Sequence, residues 1–136
     1  MKILVIDNYD SFTYNLVHII KYATDHQVDV VRNDEITPDE VQPYDRILLS
    51  PGPGIPDEAG IMKKLIEMYG PTKSILGICL GMQGIAEVYG ARLYNLSKVF
   101  HGIESNIRIH NTGETLFNQL PSEIKGGRYH SWAVDP

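Results

Sequence analysis

The sequence predicts an α/β domain built on a parallel sheet, and three observations predict it. Short apolar runs recur along the first ninety residues, each four or so residues long and bounded by polar or turn-forming residues. Segments with apolar residues at helical spacing alternate with them. The runs are continuously apolar rather than alternating, which is the mark of strands covered on both faces by helices. Right-handed crossovers and a parallel sheet follow from that rhythm, with ligands expected at the carboxyl ends of the strands.

Taken in order, Ile3-Leu4-Val5-Ile6 is the first strand. Asp10 or Ser11 can cap the helix after it, whose apolar stripe reads Phe12, Leu16, Ile19, Ile20 and Ala23. Val28 to Val31 is the second strand. Thr37-Pro38-Asp39-Glu40 has the pattern of a capping box with proline at the first helical position, so a short helix is expected from there to about Pro43. Ile47-Leu48-Leu49 is the third strand. Asp57 is expected to open a helix with Ile61, Met62, Leu65, Ile66 and Tyr69 on one face, stopped by Gly70-Pro71. Ile75 to Ile78 is the fourth strand, and a helix from about Gly81 to Tyr89 follows, ended by Gly90. Beyond it the alternation of Asn106 to His110, a turn at Asn111-Thr112-Gly113, and a strand over Tyr129 to Val134 after Gly126-Gly127 describe a different, less regular half.

The totals fit one domain. The chain has 136 residues, 43% of them apolar and 21% charged, with a net charge of -5, so it lacks the basic excess of a nucleic-acid binder. No apolar run approaches the roughly 20 residues that span a bilayer, and Met1 leads into KILVI without a signal region. A single cysteine forms no internal disulfide. These readings place the chain in the cytoplasm, with no membrane and no nucleic-acid partner. Neither a P-loop nor a dinucleotide fingerprint can be read, and neither metal nor cofactor is expected.

That single cysteine carries the chemistry. In Gly77-Ile78-Cys79-Leu80-Gly81 it stands directly after a strand and before a helix, with a glycine two residues to each side. The small flanks let strand, turn and helix crowd together, as in the elbows that present a hydrolase nucleophile. The helix amino terminus is expected to favour thiolate over thiol, and the Leu80 N–H to face developing oxyanion charge. A lone cysteine as a buried hydrophobe is the competing reading, but that role needs neither glycine. Ser50-Pro51-Gly52-Pro53-Gly54 after the third strand is expected beside the elbow, where its uncovered N–H groups are a second donor source.

DNYDSFTYN (7 to 15), LLSPGPGIPDEAG (48 to 60), GICLGMQ (77 to 83), HG (101 to 102) and GRYHSW (127 to 132) together resemble the class I, triad-type glutamine amidotransferases. The likeness is to the glutaminase subunits of anthranilate synthase and aminodeoxychorismate synthase, and it runs in order through essentially the whole chain. It implies a flavodoxin-like, open and mostly parallel sheet. It also implies hydrolysis of glutamine to glutamate, with ammonia passed to a chorismate-using synthase subunit in tryptophan or folate biosynthesis. By motif, Cys79 is the nucleophile. Gly54 and Leu80 supply oxyanion N–H groups, Gly52 shapes the loop, and Gln83, Ser131 and Trp132 contact glutamine. Without the resemblance Gln83 reads as a solvated helix residue, Ser131 as a strand hydroxyl and Trp132 as a core aromatic.

The resemblance also places a histidine base and its acid in a His-Pro-Glu segment after the Arg-Tyr-His-Ser strand, and no such segment occurs. The expectation is therefore a class I amidotransferase domain over residues 1–136 that is incomplete at its C-terminus and turns glutamine over very slowly alone. His130 is a poor substitute, because neighbours in a strand face opposite ways and Ser131 faces the substrate. Two other classes compete. A phosphoacceptor domain, suggested by Asp7 and Asp10, would need an aspartate at the end of the third strand, where Leu49-Ser50 stands. A non-catalytic binding subunit would keep the elbow only as scaffold.

Overall fold

The computed structural model describes residues 1–110 and 115–135. They form two compact units, one of Met1–Leu93 to which the chain returns at Val134, the other of Tyr94–Ala133.

The first unit is the α/β layer structure. Strands β1 (Lys2–Asp7), β2 (Gln27–Arg32), β3 (Arg46–Leu49) and β4 (Ser74–Gly77) form a sheet in the order β2-β1-β3-β4, every pair parallel. Helices α1 (Thr13–Ala23), α2 (Met62–Tyr69) and α3 (Leu80–Val88) connect or follow them. Alternate residues of the central strands go to opposite faces. Leu4, Ile6, Ile47 and Leu49 pack with Met62, Leu65, Ile66 and Leu80 of α2 and α3, whereas Val5 and Leu48 pack with Leu16 and Val17 of α1. Both faces are thus covered, which is why the strands read as unbroken apolar runs. Burying each of the large aliphatic side chains contributes roughly 1.5–3 kcal/mol.

Several boundaries differ from the sequence reading, each for a local reason. The buried residues of α1 are Thr13, Leu16 and Val17, while Phe12 and Ile19 are more than half exposed. Leu16 and Ile20 of the expected stripe do pack inward, and the Thr13 hydroxyl donates to Asp7 Oδ1 at 2.9 Å, so a polar residue lies on the inner face beside them. Asp10 does not cap the helix. Its Oδ1 accepts the Phe12 N–H at 2.8 Å in the turn before it, and Phe12 holds the cap position.

The segment after Thr37 is one 3-10 turn, Pro38–Val41, with Glu40 accepting both the Thr37 N–H (2.8 Å) and its hydroxyl (2.7 Å). Those two bonds hold the Glu40 carboxyl below its ordinary range. Asp57 opens only a second 3-10 turn, Pro56–Glu58. The helix proper starts at Met62, and its expected stripe is buried or half-buried as read.

The second unit holds two long strands, β5 (Leu93–Arg108) and β6 (Glu123–Val134), which begin and end at the border of the first. Contacts pair Phe100 with His130, Glu104 with Lys125 and Ile109 with Ser122. Partner numbers fall as strand numbers rise, the mark of an antiparallel pair. Gly126 and Gly127 lie inside β6 rather than before it, and His101, expected in an irregular segment, is within β5. The turn expected at Asn111-Thr112-Gly113 lies outside the described residues.

Candidate active site: a cysteine elbow beside a glycine loop

The chain runs from β1 out to β2 and back across β1 to β3, so the sheet's topological switch lies between the carboxyl ends of β1 and β3. Three buried polar residues tie this end together. Asn8, Asn33 and Ser50 are each the first residue beyond its strand, respectively β1, β2 and β3. The Asn8 N–H donates to Ser50 Oγ at 2.9 Å and its Nδ2 to the Ser50 carbonyl at 2.8 Å, while Asn33 Nδ2 donates to Asn8 Oδ1 at 3.0 Å. The Asn33 carbonyl in turn accepts the Ile61 N–H at 3.0 Å, just before α2. No apolar pattern marks this network in the sequence, because its three members are polar residues buried by bonding to one another. Their common place, one step past a buried strand at the switch point, was the available signal.

Asp7 is committed to the same loop. Its Oδ1 accepts the Tyr9 N–H (3.0 Å) as well as the Thr13 hydroxyl, and Tyr9 itself has φ of 63°. The carboxylate expected of a phosphoacceptor is thus a turn-forming group.

The elbow is built as the glycine spacing requires. Cys79 sits at the N-terminus of α3 with φ 52° and ψ −109°, a conformation that side chains other than glycine rarely adopt. A Cβ on Gly81 would stand 2.5 Å from both the Cβ and the carbonyl oxygen of Leu49 in β3. A Cβ on Gly77 would overlap the backbone of Gly81 and Met82. The Ile78 N–H donates to the Leu49 carbonyl at 3.0 Å, so the turn begins while still tied to the neighbouring strand.

The proline-glycine loop lies against this turn. A Cβ on Gly52 would be 2.5 Å from the Asn8 carbonyl oxygen and 2.7 Å from Leu80 Cδ2. Gly54 has φ of +73°, the left-handed region that glycine tolerates. The Cys79 thiol is half-buried, and here the structure departs from expectation. Burial pushes its pKa up, the Leu80 N–H pulls it part of the way back down, and the Asp10 carboxylate adds a smaller upward push. The Leu80 N–H lowers the thiol's pKa less than desolvation raises it.

Residues 4–136 match the family model for glutamine amidotransferase class-I. The chain belongs to the class I glutamine amidotransferase family. Among relatives, it is 47% identical over 134 residues to anthranilate synthase component 2 of Lactococcus lactis, covering 98% of this chain and 66% of that protein. It is 43% identical over 136 residues to aminodeoxychorismate/anthranilate synthase component 2 of Bacillus subtilis, covering 98% and 69%. The amidotransferase chain thus spans about two thirds of the length of these curated relatives. A glutamine amidotransferase crystal structure from Thermotoga maritima superposes with a TM-score of 0.85 at 19% identity, over 99% of this chain and 62% of that one, which supports the fold alone.

Within the amidotransferase chain the first unit brings Cys79, Leu80, Gly52, Gly54 and Gln83 to one end of the sheet. Gln83 is one turn along α3 from the cysteine, its N–H donating to the Cys79 carbonyl at 2.9 Å. It is buried, at 4% exposure, and so is not the solvated residue that its polarity alone implies. Ser131 and Trp132 lie on β6 in the second unit, both half-buried. No helix among the described residues is long and apolar enough to cross a membrane.

Proposed function

We propose that this chain carries the nucleophile and part of the glutamine site of a glutaminase subunit, one that supplies ammonia to a chorismate-utilising synthase subunit in the cytoplasm. The observation that carries this reading is the strained Cys79 elbow, wedged by Gly77 and Gly81 against Leu49 and flanked by the Gly52 loop. A buried structural cysteine requires none of these features.

In this reading Cys79 Sγ attacks the side-chain amide carbon of glutamine. The carbonyl oxygen, now an oxyanion, accepts hydrogen bonds from the N–H groups of Leu80 and Gly54. Collapse breaks the C–N bond, the thiol proton passes to the leaving nitrogen, and ammonia departs from a γ-glutamyl thioester. Water then cleaves the thioester, giving glutamate and the free thiol. Gln83, Ser131 and Trp132 hold the substrate. Proton transfer needs a base, which the family resemblance places in a His-Pro-Glu segment not found in these 136 residues. The activity is therefore proposed for the whole subunit, and the 136 residues by themselves are expected to be slower by orders of magnitude.

Anthranilate synthase is the synthase that the first relative's name favours, and the dual name of the Bacillus relative supports aminodeoxychorismate synthase as a second reading. The test is Cys79→Ser in the whole subunit assembled with its synthase. Glutamine-dependent product formation should fall at least a hundredfold while formation from added ammonia persists. Undiminished use of glutamine would refute the proposal.

A further inference from the structure

We infer that His130 is a positioning residue for the Ser131–Trp132 segment, its imidazole clamping the backbone across Ser131. The inference rests on the reading that this segment holds glutamine. Arg128 Nε lies 3.1 Å from His130 Nε2, and His130 Nδ1 lies 2.8 Å from the Trp132 carbonyl oxygen. A guanidinium nitrogen only donates, so Nε2 must be the accepting nitrogen. A neutral imidazole has one N–H, which is then on Nδ1 and donates to the Trp132 carbonyl. The two contacts assign one tautomer between them.

The ring is held in that orientation from β5. Phe100 stacks on it with centroids 5.7 Å apart at 20°, and the Arg128 guanidinium carbon lies 3.5 Å above the Phe100 ring. The planar stack restricts rotation of the imidazole, and the Phe100 face also holds the guanidinium whose Nε bonds Nε2. The bond from the side chain of residue 130 to the carbonyl of residue 132 closes a small ring of atoms around Ser131. Rotation of the peptide groups on either side of Ser131 would break it. Because neighbours in a strand point to opposite faces, the imidazole occupies one face and leaves the other to the Ser131 hydroxyl. His130 therefore acts through Ser131 and Trp132, on their orientation, without touching substrate. The clamp is local to the second unit, and every contact invoked lies within it.

Two measurements on the whole subunit test this. In the unsubstituted protein with histidine rings labelled with 15N and neutral, the His130 ring should show the Nδ1–H tautomer. The Nε2–H tautomer would overturn the inference. In glutamine kinetics, His130→Ala should raise KM about three- to tenfold, with a smaller effect on kcat, as expected for loss of one net hydrogen bond from substrate positioning. His130→Asn places an amide donor near the Nδ1 position and should recover most of that loss. A KM unchanged in His130→Ala, or equal losses for the alanine and asparagine variants, would contradict the clamp. Ser131→Ala separates the two layers of argument. If it raises KM and His130→Ala does not, the clamp alone fails. If Ser131→Ala leaves KM unchanged, the glutamine reading of the segment fails, and the clamp loses its function with it.

Discussion

Gly81 and Leu49 approach so closely that a single added carbon on the glycine would stand 2.5 Å from the leucine's Cβ and from its carbonyl oxygen. That contact joins α3 to β3 and fixes where the turn bearing Cys79 can lie. Gly81→Ala should destabilise the chain by about 1–3 kcal/mol, the usual cost of overpacking, because the obstructing atoms are backbone and Cβ rather than a mobile side-chain end. It should also move Cys79 and slow its alkylation. Denaturant unfolding and thiol reactivity check the two effects, and a variant with parental stability would show that the turn has slack.

Asn8 should be the most sensitive polar residue of the sheet's carboxyl end. Asn8→Ala removes the side-chain donor to the Ser50 carbonyl and the acceptor for Asn33 Nδ2, leaving buried polar groups without those partners. A loss of about 2–4 kcal/mol is expected, one to three for each orphaned group with partial relief from water entering the site. Thermal or urea unfolding measures it, and a loss below 1 kcal/mol would mean that the network contributes little.

Thiol reactivity has a predictable pH dependence. Burial and the Asp10 charge raise the Cys79 pKa, so at neutral pH the free protein has less thiolate than an ordinary cysteine would have. Its rate of reaction with iodoacetamide should therefore rise with pH through a midpoint above that of free cysteine, about 8.5. Asp10→Asn removes a negative charge that disfavours thiolate, which should shift the midpoint down. A midpoint below that of free cysteine in the unsubstituted chain would contradict the assignment.

The α2 stripe supplies the main packing on one face. Leu65 is fully buried among residues of both central strands' inner face, and Leu65→Ala should cost about 2–5 kcal/mol. Equilibrium unfolding checks this, with a cost under 1 kcal/mol as the contrary result.

Much of this architecture was legible because β1 and β3 are buried on both faces, which leaves unbroken runs such as Ile3 to Ile6. The elbow was legible for a related reason, since close approach of strand and helix admits only glycine at residues 77 and 81. Features that use polar residues internally were not. Thr13 is buried through a bond to Asp7, so it and Val17 share the inner face of α1 with Leu16 and Ile20 of the apolar stripe, while Phe12 and Ile19 are exposed. Asn8, Asn33 and Ser50 are inside because they bond to each other. The sixteen-residue β5 was read only at its far end because most of it is exposed, so no alternation of apolar and polar residues marks it. The direction of the Cys79 shift was missed because position at a helix terminus is visible in sequence, whereas desolvation depends on packing.

The most direct test of the central claim compares two electrophiles on Cys79, a chloroketone analogue of glutamine and iodoacetamide, under identical conditions with mass spectrometry locating the adduct. A substrate site around the elbow predicts that the glutamine analogue reacts at Cys79 faster than its intrinsic reactivity allows, with saturation at high concentration and protection by glutamine. Equal normalised rates without saturation or protection, in the whole subunit with its synthase present, would contradict it.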